Sequence, residues 1–130
     1  MGYTLRIGNA VPQPLNDKYD TLATRYTVEP VRHDCAPAFG EPTDYTNARW
    51  PSYTAWADTA REAGLQKLML EYMVKPHPGC VRLRKEHLEE IQAALLIPTL
   101  TEWTRNRLVW CEYWIRWALE NCALPAMENS

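Results

Sequence analysis

The segment from Thr101 to Cys122 repeats its apolar residues with a helical period and no break. Trp103, Trp110, Trp114 and Trp117 stand at i, i+7, i+11 and i+14, so they share one helical face. Leu108, Cys111, Ile115, Leu119 and Cys122 fill the adjoining face. A helix with two neighbouring apolar stripes needs cover on both. It therefore reads as the central element, with the rest of the chain packed around it. Thr99 or Thr101 caps its start, and Pro125 follows its end.

Three further helical segments precede it, which predicts about four helices. Tyr53, Trp56, Ala57 and Ala60 follow i, i+3, i+4, i+7 after Pro51, and Gly64 closes that helix in a left-handed conformation. Leu65, Leu68, Met69, Tyr72 and Met73 form a second stripe, stopped by Pro76-His77-Pro78-Gly79. A third helix runs from Leu83 to Leu96, with Leu88, Ile91 and Leu95 inside, and Pro98 ends it.

The first part of the chain is written differently. All five Asp lie in the first 58 residues, six of the ten Pro in the first 51, and nine of the eleven Glu after residue 60. Asp and Pro suit turns, while Glu suits helix interiors. Tyr3, Leu5 and Ile7 alternate with Thr4 and Arg6, which predicts a short strand ended by Gly8-Asn9. Thr24 to Val28 predicts a second strand, stopped by Pro30 and paired antiparallel with the first. Residues 33–50 show neither period and read as a long loop, pinned by Phe39, Tyr45 and Trp50. The expected fold class is therefore α+β: an N-terminal hairpin and a long irregular loop packed on a helical bundle. At 130 residues the chain is one domain, with strands and loop in 1–50, helices in 51–123 and a signal-free tail in 124–130.

The net charge of −2 gives no global field toward nucleic acid, and no nucleic-acid-binding signature is present. The basic run Arg82, Arg84, Lys85 is offset by Glu86, Glu89 and Glu90 and reads as a solvated helix face. No apolar stretch is long enough to span a membrane, and the first residues lack the pattern of a secretion signal. Cys35, Cys80, Cys111 and Cys122 form no C-x-x-C pair and read as reduced, mostly buried thiols. The sequence calls for no cofactor.

Several groups are candidates for chemistry. Cys80, at the expected start of the third helix, has His77 beside it, the material of a thiolate and its base. The same cysteine has Glu86 where a phosphatase loop needs Arg, so that chemistry fails. His33, Cys35, His77 and Cys80 are weak candidates for a zinc site, with unusual spacing. Each of these is outweighed by a bland reading, a tight turn and buried thiols.

Binding is the stronger reading. In the long loop Asp44, Asn47 and Arg49 supply polar groups, and Tyr45 and Trp50 supply aromatic walls. On the central helix Trp103, Arg107 and Trp110 are candidates for a partner-facing surface, against the alternative that the tryptophans are simply core. These residues suit a host protein or a small anionic, nucleotide-like ligand. If the tryptophan face is instead a subunit interface, the chain forms a homo-oligomer or a component of a larger assembly.

The stretch Ala36-Pro37-Ala38-Phe39-Gly40-Glu41-Pro42-Thr43-Asp44, with Thr46-Asn47, Arg49-Trp50-Pro51-Ser52-Tyr53, His77-Pro78-Gly79-Cys80, Glu86-His87-Leu88 and Arg116-Trp117-Ala118-Leu119-Glu120-Asn121-Cys122, resembles small bacteriophage- and prophage-encoded proteins. The family has no known activity, so the resemblance carries over no functional residue. It implies expression in the cytoplasm of a bacterial host, consistent with reduced cysteines. By analogy with phage accessory proteins of this size, it also implies a non-enzymatic protein acting on a host component, counter-defence included.

Overall fold

The computed structural model describes residues 5–13, 25–28, 53–65 and 79–129. Along the chain come β1 (Leu5–Gln13), β2 (Arg25–Val28), α1 (Tyr53–Glu62), β3 (Gly79–Arg82), α2 (Lys85–Ala94), α3 (Glu102–Asn121) and β4 (Pro125–Asn129). The four strands form one antiparallel sheet in the order β2-β1-β4-β3. The class is α+β. Three helices stand among the described residues rather than about four. Of the expected second helix, Leu65 is described and is not helical; the remainder lies outside the described residues.

The last residues, read from sequence as a tail without structure, form β4 at the centre of the sheet. Leu5 lies opposite Asn129 and Ile7 opposite Met127, while Val81 of β3 also lies opposite Met127. Leu5, Ile7 and Met127 are buried and Val81 packs against them, so this face of the sheet meets the helices. A single Met between Ala126 and Glu128 gives too short an alternation to announce a strand.

β1 and β2 do pair antiparallel, through the second half of a β1 that runs on past Gly8-Asn9. The pairing runs from Ala10 opposite Val28 to Gln13 opposite Arg25, and the Leu5–Asn9 half of β1 is taken by β4. Gly8-Asn9 does not end the strand. The Asn9 side chain holds the chain end nearby: its Oδ1 accepts from the Leu124 N–H at 2.8 Å, and the Ala10 N–H donates to the Leu124 carbonyl at 2.8 Å.

α1 ends as its sequence predicts. Gly64 has φ +73°, which a side chain would strain, and two reversed bonds close the helix, Leu65 N–H to Ala60 O at 2.7 Å and Gly64 N–H to Arg61 O at 3.2 Å. Leu65 and Ala60 are both buried, the apolar contact that accompanies this motif. α3 starts at Thr101, whose hydroxyl accepts from the Thr104 N–H. Its buried residues Leu108, Trp110, Cys111, Trp114, Ile115 and Ala118 fill the core between the sheet, α1 and α2. Arg105 ties α2 to α3, donating to the Leu95 and Ile97 carbonyls at 3.2 and 3.0 Å and so satisfying backbone acceptors beyond the end of α2. Among the described residues no helix is long and apolar enough to cross a membrane.

Candidate functional site

α1 and α3 run side by side, joined at three levels. Thr101 and Thr104 at the start of α3 both bond Glu62 at the end of α1. Arg107 reaches Thr59, and Trp110 packs on Trp56 with ring centroids 6.0 Å apart. The two helices are therefore antiparallel. Trp110 and Trp114 are fully buried. Trp114 meets Trp117 edge-on at 5.6 Å and Tyr113 at 5.4 Å. These tilted and edge-on pairs are favoured by the ring quadrupoles. Trp110, read from sequence as partner-facing, is thus a core residue: Trp56 covers the face that it presents.

Trp103 differs. It lies on the face of Trp110, two turns earlier, and is 72% exposed. The Arg107 guanidinium carbon stands 5.8 Å from its ring centroid, within cation–π range. Arg107 is itself held in place, donating to Thr59 Oγ1 at 2.8 Å and to the Ala55 carbonyl at 3.4 Å, while its buried Nε has no partner among the described residues. Burial lowers the Arg107 pKa; the carboxylates of Asp58 and Glu62 act the other way, and the group stays charged. The result is a rigid cation beside an exposed indole.

Glu62 was not singled out by the sequence. Its carboxylate accepts from the Thr101 N–H at 2.6 Å, from the Thr101 hydroxyl at 3.0 Å and from the Thr104 hydroxyl. It lies at the N-terminus of α3, where backbone dipoles favour negative charge. The backbone bond from Thr101 and the bond from Thr104 hold its pKa below the usual 4.5. No local pattern announces this contact, because the partners are 39 and 42 positions away.

The second feature is a cleft of about 310 Å³, lined by Ala10, Cys80, Arg82, Leu124, Pro125 and Ala126. Cys80 lies in β3, not at a helix start, so no helix dipole acts on it. It stands opposite Glu128 across the sheet. Desolvation, and then the Glu128 carboxylate, push its thiol up to about 11. At neutral pH it is a protonated thiol and a poor nucleophile. Arg82 is exposed on the same strand, and Lys85 pairs loosely with Glu89 at 3.6 Å, as a solvated helix face would.

His33, Cys35, Asp44, Tyr45, Asn47, Arg49, Trp50 and His77 lie outside the described residues. Among the described residues no cluster of His, Cys, Asp or Glu could hold a metal ion. The structure thus brings Trp103 and Arg107 together and sets Cys80 and Trp110 apart from them. No family model matches the chain, and neither does any curated protein or solved structure.

Proposed function

We propose that this chain is a non-enzymatic binding protein that engages a partner protein through Trp103 and Arg107. The observation that carries the reading is the large exposure of Trp103 beside an anchored guanidinium. Tryptophan and arginine supply most of the binding energy at many protein interfaces. Both are pre-ordered here, Trp103 on the first turn of a capped helix and Arg107 by its bonds to α1. Little conformational entropy is then lost on docking. The resemblance to small bacteriophage proteins makes a host protein the expected partner.

A second reading has its own support. Arg82 is the one charged group among the described residues lining the cleft, whose other walls are mostly apolar. That chemistry suits a small anionic ligand. One experiment separates the two: immobilised protein, as wild type, Trp103→Ala and Arg82→Gln, is challenged with bacterial lysate and with a panel of nucleotides. A protein retained by wild type and Arg82→Gln, and weakened at least about tenfold by Trp103→Ala, is the expected result. Retention indifferent to Trp103 overturns the first reading. Nucleotide binding lost in Arg82→Gln selects the second.

A further inference from the structure

His87 is buried, 3% exposed, at the third position of α2. Its Nδ1 accepts a hydrogen bond from the Arg84 N–H at 2.9 Å, and its own N–H donates to the Arg84 carbonyl at 3.1 Å. Only half of the usual Ser/Thr–Glu capping box is made by side chains: the third residue reaches back to the N–H of the cap residue, while its own backbone N–H meets the Arg84 carbonyl. Here the residue before the helix is Arg84, whose guanidinium cannot accept, so the imidazole supplies the side-chain acceptor of the cap. Accepting at Nδ1 fixes the neutral tautomer with its proton on Nε2. That Nε2 is buried and has no hydrogen-bond partner among the described residues.

We propose that His87 is an acid-released latch that fastens the start of α2 to the end of β3 while it is neutral and lets go when it takes a proton. Protonation puts N–H on Nδ1, facing the Arg84 N–H, donor against donor. It also creates a buried cation with no acceptor at Nε2 to share the charge. The charges acting on the ring are Arg84, which opposes the cation, and Glu86, which favours it. On α3, which packs against α2, Arg105 is engaged at the Leu95 and Ile97 carbonyls, and Glu112 is engaged with Gln92 and Arg116. On the strands, Arg82 lines the cleft and Glu128 acts on Cys80.

Burial, above all, lowers the His87 pKa from its usual 6.5. Folded His87 therefore holds its proton less tightly than unfolded His87. The latch is at full strength above about 6.5 and weakens as pH falls from there toward the depressed value. Release loosens the chain at Arg84 and the first turn of α2, while β3 and Leu83 stay held by β4.

The test is nitrogen NMR of the full chain with hydrogen exchange at the Arg84 amide, from about pH 7.5 to 5. His87 is expected to show an unprotonated, accepting Nδ1 and to titrate below 6.5. Opening at Arg84, corrected for intrinsic exchange chemistry, is expected to rise up to about tenfold per pH unit below that value. In His87→Asn, an amide oxygen takes the place of Nδ1 without titrating, and opening should be flat with pH. Titration of His87 at or above its usual value overturns the proposal, as does an equal pH dependence in His87→Asn. If that variant does not fold, the wild-type titration and tautomer decide alone.

Discussion

Trp103 and Trp110 occupy the same helical face, and their environments could hardly differ more. The period of α3 predicts that they share a face; it does not predict which end of that face is covered. Cover comes from Trp56 on α1, which meets Trp110 and stops short of Trp103. The difference should be plain in denaturant unfolding. Trp110→Ala leaves a large cavity in the core and should cost about 3–5 kcal/mol. Trp103→Ala removes an exposed side chain and should change stability by no more than about 0.5 kcal/mol. Equal losses from the two would mean that Trp103 is a packing residue and would remove the basis for a docking surface. Glu62, Arg105 and His87 mark the limit of residue-level reading. Each looks like an ordinary surface or helix residue in the sequence. Glu62 and Arg105 find their roles in backbone groups beyond their own helices, and His87 in the local Arg84 N–H once burial takes water from it.

Elements were legible where their signal is local. The Gly64 stop, the Thr101 cap and the apolar stripes of α1, α2 and α3 are written in spacing and capping chemistry, and the helices appear close to where those patterns put them. β3 was not legible. Its four residues begin at Gly79, directly after Pro78, and precede a helical pattern, so Cys80 reads as a helix start. Only pairing with β4 makes this segment a strand, and that pairing changes the chemistry of its thiol. The junction of α1 and α3 also carries a prediction. Glu62 is held below its usual 4.5 chiefly by its bonds to Thr101 and Thr104. A carboxylate with a depressed pKa contributes stability above its unfolded value and loses it as pH falls through the folded one. Acid should therefore weaken the α1–α3 junction below about pH 4.5, and Glu62→Gln should flatten that part of the stability profile. Melting curves of wild type and variant between about pH 6 and 3 check this; parallel profiles would show that the carboxylate does not carry the effect.

At the scale of the whole molecule the chain closes on itself. β1, near one end, and β3, two-thirds of the way along, pair with opposite edges of β4, so one short segment at the other end completes the sheet. Sequence patterns see neighbours within a few positions, whereas Leu124 finds Asn9 across 115. This distance is why a central strand looked like a tail. Cutting the chain after Ala123 would remove the partner of Leu5–Asn9 and of Gly79–Arg82 at once, together with buried Ala126 and Met127. Loss of the Met127 side chain alone, as Met127→Ala, should cost about 2–5 kcal/mol. That is a large share of the roughly 5–15 kcal/mol that holds a domain together. Loss of the whole strand adds two unpaired ladders in the middle of a sheet, whose donors and acceptors pair with β4. The truncated chain should keep helical signal in circular dichroism, lose its near-ultraviolet tryptophan signal and melt without a cooperative transition. Adding a peptide of residues 124–130 in trans should restore that signal in a concentration-dependent way, because the missing strand then binds only the folded arrangement. A cooperative melt of the truncated chain at wild-type temperature would show that β4 is dispensable and that the helices and the remaining strands pack without it.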